Sequence, residues 1–329
     1  MKATAVAHPN IALVKYWGKR DEALVLPHQP SLSMTLDGLS ATTTVEFCDR
    51  ADDAGEIDGR ALSGKELARV VHTLDLVRAR SGVKLRARMV SKTDFPNAAG
   101  LASSAAGGAA LAAAASWAAG LDTSPRDLSI LARRNSGSAC RSVEGGFCEW
   151  QRGQAEDGSD SYAVQVAPES HWPQLRMVVV VTSSKAKEVS SRDGMRHTVE
   201  TSPFYAPWVE MVTGDLAEAR AALLARDLDR LGAVAECNAW RMHATGMGAV
   251  PPVVYIRSAT LAVVEELPAL RASGTPAWFT LDAGPNPVVL CLDRDAPKIV
   301  ERLSAIPGVL RAVIAGPGRG VRPSEKHLF

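Results

Sequence analysis

The stretch "FPNAAGLASSAAGGAALAAAA" (95–115) holds two adjacent hydroxyls, Ser103 and Ser104, among side chains too small to fill space. Asn97, Ala98 and Gly100 are turn-prone, and Leu101, Ala102, Ser103, Ser104 and Gly107 open a run that reads as a helix to Gly120. Glycine-rich backbone before a helix lets a ligand approach the main chain, and the first N–H groups of the helix have no internal partners. Phosphate is the natural guest. The two serines can cap the helix, bond a phosphate or reach Mg²⁺, and the alanines behind them allow close packing. Four further clusters carry cations, hydroxyls or a carboxylate. Lys15, Lys19 and Arg20 lie in "HPNIALVKYWGKRD" (8–21), and Ser136, Ser138 and Arg141 lie in "NSGSACRS" (135–142). Ser190, Ser191 and Arg192 lie in "SSKAKEVSSRDGM" (183–195), and Asp282 precedes a tight turn in "TLDAGPN" (280–286). Taken singly, each also reads as an ordinary feature: a close-packed helix, a solvated strand edge beside Tyr16 and Trp17 in a core, a capped turn, a polar loop, a turn former.

The elements that must position these residues alternate without a strict βαβ rhythm. "NIALVKYW" and "ATTTVEF" read as strands, "EIDGRALSGKE" as a hairpin, and "LARVVHTLDLVRARSG" as a helix with a glycine stop. In "TSPRDLSILARR", Ser124 can cap, Pro125 suits the first turn and Asp127 suits its positive end. "GGFCEW" and "YAVQVA" are expected to pair, and "LRMVVVVTS" is a buried strand. Two antiparallel helices are expected between 203 and 245, broken near Arg226, followed by helices near 256–272 and 296–304 interleaved with three strands. The pattern predicts an α+β protein of two lobes, 1–172 and 173–329, with the boundary near "PESHWPQ". "GRALSGKE" fits Gly-x4-Gly-Lys but ends in Glu66 and falls in a hairpin, so it is not expected to be a nucleotide loop.

With 37 basic and 36 acidic residues the formal net charge is +1, which gives no electrostatic footprint for nucleic acid or anionic lipid. The five cysteines form no CxxC pair, which fits a reducing cytosol better than a zinc site or disulfide framework. "MKATAVAHPN" does not read as a signal peptide, and no charge-free run is apolar enough for a membrane span.

Together and in this order, "NIALVKYWGKRD", "SLSMTL", "FPNAAGLASSAAG", "NSGSACRS", "SSRDGM" and "DAGPN" resemble the GHMP superfamily and, within it, the diphosphomevalonate decarboxylases, from about residue 8 to about 316. The resemblance implies a two-lobed GHMP kinase fold, with a ribosomal protein S5 domain 2-like first lobe, a ferredoxin-like second lobe and the active site between them. It implies ATP as co-substrate with Mg²⁺, a cytoplasmic homodimer, and conversion of (R)-5-diphosphomevalonate to isopentenyl diphosphate. The small-residue stretch would be the ATP phosphate loop. Arg141 would meet the substrate carboxylate, Arg192 with Ser191 the diphosphate, and Ser138 and Lys19 would also hold substrate. Tyr16 and Trp17 would shape its pocket. Asp282 would orient the 3-hydroxyl, with Lys15 beside it. The alternatives are a mevalonate 3-kinase-like enzyme, a phosphomevalonate decarboxylase and a catalytically dead ligand-binding regulator. Relatives that only phosphorylate tend to lose this Asp/Lys pair and a regulator could lose it too, yet both residues are present, and Arg192 with its adjacent serines favours the diphosphate over the monophosphate. Two positions depart from the family pattern: Asn135, where lysine or arginine then glycine is commoner, and Gly108, where a bulkier residue is usual. The segment 185–195 has the composition of a mobile lid.

Overall fold

The computed structural model describes residues 1–94, 103–185 and 187–329. The first lobe is built on two sheets. In the larger, the strands run in the order Arg322–Pro323, Lys2–Ala7, Ala41–Cys48, Arg86–Thr93, Ala54–Ile57 and Arg60–Ala61. The smaller orders Ala163–Ala167, Phe147–Trp150, Ser31–Thr35 and Asn10–Val14. Three helices join them: α1 (Gly64–Ser81), α2 (Ser103–Ala118) and α3 (Pro125–Asn135). Gly82 stops α1 at φ 76°, a left-handed conformation in which its N–H reaches the Arg78 carbonyl. Ser124 caps α3 as its sequence predicts, accepting a hydrogen bond from the Asp127 N–H. Eight alanines between Ala105 and Ala115 are fully buried, so the α2 backbone lies close on strands Lys2–Ala7 and Ala41–Cys48.

The second lobe has an antiparallel sheet in the order Trp278–Thr280, Val288–Leu292, Leu175–Val181, Arg311–Ala315. Its helices are α4 (Ser191–Thr201), α5 (Tyr205–Ala225), α6 (Leu228–Met247), α7 (Ser258–Ala272) and α8 (Ala296–Ser304). Arg226, at φ 55°, makes the expected break between α5 and α6. One apolar cluster crosses between the lobes, joining Ile11, Leu13, Leu32 and Met34 to Met177, Val179, Trp208 and Leu231. The chain itself also crosses back, since Pro317 and Arg319 bridge to Leu36 and Gly145 and Arg322–Pro323 pairs with the first strand.

Two local expectations are corrected. Residues 191–195 are not loop but the first turn of α4, because Ser190 accepts from the Asp193 N–H and donates to its carboxylate at 2.6 Å. "NSGSACRS" is not a side-chain-capped turn: Gly137–Ser142 winds as a 3₁₀ helix, and the Ser136 side chain makes no capping hydrogen bond.

Candidate active site

Strand Asn10–Val14 ends where the two lobes meet, and Lys15 follows it into a cavity of about 1090 Å³. The Lys15 ammonium is buried and donates to the Ala12 carbonyl at 2.8 Å and to Asp282 Oδ1 at 2.5 Å. Asp282 comes from the opposite lobe, two residues past strand Trp278–Thr280, and its side chain remains 36% exposed toward the cavity. Thr280 Oγ1 donates to the same Ala12 carbonyl, stitching the two strand ends together. Burial pulls the Lys15 pKa below the ordinary lysine value; Asp282 opposes this and nearby Arg141 adds to it.

Arg141 is a buried guanidinium with no carboxylate partner among the described residues. It donates to Asn10 Oδ1 (3.1 Å), Ser33 Oγ (3.0 Å) and Ser31 Oγ (2.6 Å), and it lines the cavity. Desolvation lowers its pKa from the arginine value. A cation held by neutral oxygens and facing open space is suited to receive an anion. Ser138 lies on the same wall, its carbonyl accepting from Asn10 Nδ2.

Tyr16, Trp17, Lys19, Ser191 and Arg192 also reach the cavity. The Tyr16 hydroxyl and Trp17 Nε1 are buried without a hydrogen-bond partner among the described residues. Lys19 is drawn to Glu22 at 2.5 Å, while Arg192 donates to the Asn135 carbonyl at 2.6 Å. Arg20 is not brought in; its guanidinium turns to the carbonyls of Arg152 and Gly153. Of the small-residue stretch, Asn97, Ala98, Gly100, Leu101 and Ala102 lie outside the described residues. Ser103 opens α2, Ser104 stands exposed on the cavity wall, and Gly107 follows in the next turn with open space over its Cα.

Several wall residues escape the sequence reading. Lys65, Arg69 and His72 come from one face of α1, and Lys185 and Lys187 from the segment before α4. The spacing i, i+4, i+7 in "KELARVVH" places the three on one helix face, but the expected helix begins at Leu67 and leaves Lys65 in the expected hairpin, so the sequence does not join them. Lys65, the lysine of "GRALSGKE", does line the cavity, though from a helix preceded by the hairpin Ala54–Ile57/Arg60–Ala61. In all, nine lysine and arginine side chains and three carboxylates line the cavity, in a chain whose formal net charge is only +1. Such a wall concentrates field on an anionic ligand.

An interlobe cleft of this charge, flanked by a serine-rich helix start, is the arrangement of a GHMP kinase fold. Two family models match the chain: the diphosphomevalonate decarboxylase-like N-terminal domain over residues 7–163, and the mevalonate 5-diphosphate decarboxylase C-terminal domain over 177–312. The chain is 40% identical to the human diphosphomevalonate decarboxylase over 316 residues, covering 90% of this chain and 78% of the relative. It superposes on the mevalonate diphosphate decarboxylase of Staphylococcus aureus with a TM-score of 0.94 at 41% identity, covering 98% of each chain. A structure of MDDEF in complex with MVAPP, AMPPCP and magnesium matches with a TM-score of 0.92 at 42% identity over 99% of both chains. This chain belongs to the diphosphomevalonate decarboxylase family.

Proposed function

We infer that the chain catalyses the ATP-dependent decarboxylation of (R)-5-diphosphomevalonate to isopentenyl diphosphate, releasing ADP, phosphate and CO₂, as a step of the mevalonate pathway. The observation that carries this reading is the Lys15–Asp282 pair, 2.5 Å apart on the floor of a strongly cationic cavity. Asp282 Oδ1 is engaged by Lys15, which leaves Oδ2 to accept the proton of the tertiary 3-hydroxyl. General-base help of this kind contributes about 10²- to 10⁴-fold. Lys15 sits where negative charge develops during phosphoryl transfer and stabilises it in a dry site. Phosphorylation turns the hydroxyl into a leaving group. Loss of phosphate leaves positive character at C3, and the electrons of the carboxylate C–C bond fill it as CO₂ departs.

Arg141, fixed by three neutral oxygens, binds the substrate carboxylate, with Ser138 beside it. Arg192, Ser191 and Lys19 bind the diphosphate, and Tyr16 and Trp17 offer donors on the pocket wall that have no partner among the described residues. The phosphate groups of ATP meet the start of α2, with Ser103, Ser104, Gly107 and the preceding Asn97, Ala98, Gly100, Leu101 and Ala102. Among the described residues no group of three or more His, Cys, Asp or Glu could cage a metal. The donors present fit Mg²⁺ held mainly by phosphate oxygens and serine hydroxyls, where it would neutralise phosphate charge. The resemblance further proposes a cytoplasmic homodimer of two-lobed chains divided at 172/173, which light scattering in solution checks at the level of mass.

The test is incubation with ATP, Mg²⁺ and (R)-5-diphosphomevalonate, following ADP and CO₂ in one tube. Equal amounts of both are expected. ADP without CO₂ would make this a 3-kinase, and neither product would overturn the reading.

A further inference from the structure

We propose that Asn238, held in orientation by Asp215, is a positioning residue that fixes Lys15 against Asp282. The inference rests on the reading of that pair as the reacting pair. Lys15 and Asp282 come from different lobes, so their 2.5 Å contact is only as firm as the ties between those lobes at this point. Helix α6 holds both members of the pair from the second lobe. Asn238 Oδ1 accepts the buried Lys15 backbone N–H at 2.7 Å across the lobes, and within its own lobe the His243 ring meets the Leu281 carbonyl, one peptide before Asp282, at 3.2 Å.

The Asn238 side chain is fully buried, and the direction of its amide is decided by its other partner. Asn238 Nδ2 donates to Asp215 Oδ2 at 2.8 Å, and Asp215 Oδ1 is engaged by Arg241 at 2.6 Å. A carboxylate can only accept, so the NH₂ group must face Asp215 and the carbonyl must face Lys15. The chain Arg241–Asp215–Asn238 therefore delivers an acceptor to the Lys15 peptide from α5 and α6, and none of its members lines the cavity. Lys15 Nζ already bonds within its own turn to Ala12, so anchoring its peptide leaves the side chain little freedom to leave Asp282. A loss of alignment on the ångström scale far from the chemistry is worth up to about 10²-fold in rate.

The experiment uses the full chain with ATP, Mg²⁺ and (R)-5-diphosphomevalonate, measuring kcat and KM for wild type, Asn238→Asp, Asp215→Asn and the double substitution. Asn238→Asp sets a carboxylate against Asp215 and should lower kcat about 10- to 100-fold with little change in KM. Adding Asp215→Asn restores a donor facing an acceptor at the same place, and most of the lost kcat should return. Unchanged kcat in Asn238→Asp, or no recovery in the double variant, overturns the proposal. So does a loss in which kcat and KM deteriorate together with thermal stability, which is what a purely structural residue would give. If Asn238→Asp does not fold, Asp215→Asn alone decides. With its carbonyl kept on Arg241, the new amide sets its NH₂ against that of Asn238, so the acceptor facing the Lys15 N–H is no longer held in place, kcat should fall at unchanged KM, and unaltered kcat overturns the idea. Wild type that releases no CO₂ overturns the underlying reading instead, and does so before any substitution is made.

Discussion

Lys15 and Arg141 are both buried cations on one wall, yet they are held for different work. Lys15 has a carboxylate and a carbonyl as its two acceptors, so its charge is already answered from within the protein. Among the described residues Arg141 has only an amide and two hydroxyls, so its charge is answered by whatever enters the cavity. The distinction separates the reacting pair from the anchoring group. It also fixes what Asp282→Asn should do. The amide keeps the shape of the carboxylate but can neither take a hydroxyl proton nor offset the desolvation of Lys15, whose pKa is then pushed further below the ordinary lysine value. The expected loss in kcat is about 10²- to 10⁴-fold. Nucleotide affinity should change little, because Ser104 and the start of α2 lie on the other lobe. Steady-state turnover and a calorimetric titration with a non-hydrolysable nucleotide check the two halves of the claim. Turnover near the wild-type rate would remove Asp282 from the chemistry.

At the scale of elements, what was legible in the sequence was what local chemistry decides. Ser124, Gly82 and Arg226 end or begin helices for reasons confined to a few residues, and these boundaries could be read directly. The start of α4 was equally local, since Ser190 and Asp193 form a capping pair, but the serines around it read as a polar loop. The basic face of α1 was written in the chain at helical spacing, yet only the packed structure shows that it faces the cavity rather than solvent. The Lys15–Asp282 contact spans 267 positions, and no periodicity reports a contact of that range; there the family resemblance, not spacing, pointed to it. The two departures from the family pattern carry a related lesson, because they prove to be neighbours. A Cβ on Gly108 would stand 2.9 Å from Ala139 Cβ and 3.1 Å from Asn135 Oδ1. Asn135 in turn bonds Thr73 of α1, and its carbonyl holds Arg192. Gly108→Ala should therefore destabilise, although alanine in a helix interior is intrinsically favoured by about 1 kcal/mol. It should also raise KM for the diphosphate substrate by disturbing the turn that carries Ser136 and Ser138. Combined with Asn135→Gly, which removes the Oδ1 contact but leaves that with Ala139, it should recover in part, with a coupling energy of about 0.5–3 kcal/mol. Denaturant unfolding of the four proteins measures that coupling, and strict additivity would mean that the two positions do not communicate.

For the molecule as a whole, the lobes are joined by a shared apolar cluster and by the returning tail, so a group buried between them influences the stability of the entire fold. His243 is such a group. It lies on α6, 3% exposed, with its ring against the Leu281 carbonyl and edge-on to Tyr255, and with Lys15 nearby. Burial, reinforced by the Lys15 charge, lowers its pKa from 6.5 to about 4, so the folded protein keeps this ring neutral where the unfolded chain would protonate it. As pH falls through 6.5 the unfolded state takes up a proton that the folded state refuses, and stability is lost until the pH reaches about 4, where the folded state binds it as well. The full loss across that window is about 3 kcal/mol, a large part of the 5–15 kcal/mol typical of a folded domain. Carboxylates add their own acid sensitivity, so the variant His243→Gln is needed to isolate the histidine. Glutamine retains a donor for the Leu281 carbonyl and cannot be protonated. Urea unfolding at about pH 7 and about pH 4.5 should show wild type losing clearly more stability than the variant. The difference should vanish above pH 7, where the ring is neutral in both states. Equal acid losses in the two proteins would mean that His243 takes up its proton in the folded state too, and that the interlobe seam around Lys15 is wetter than its burial indicates.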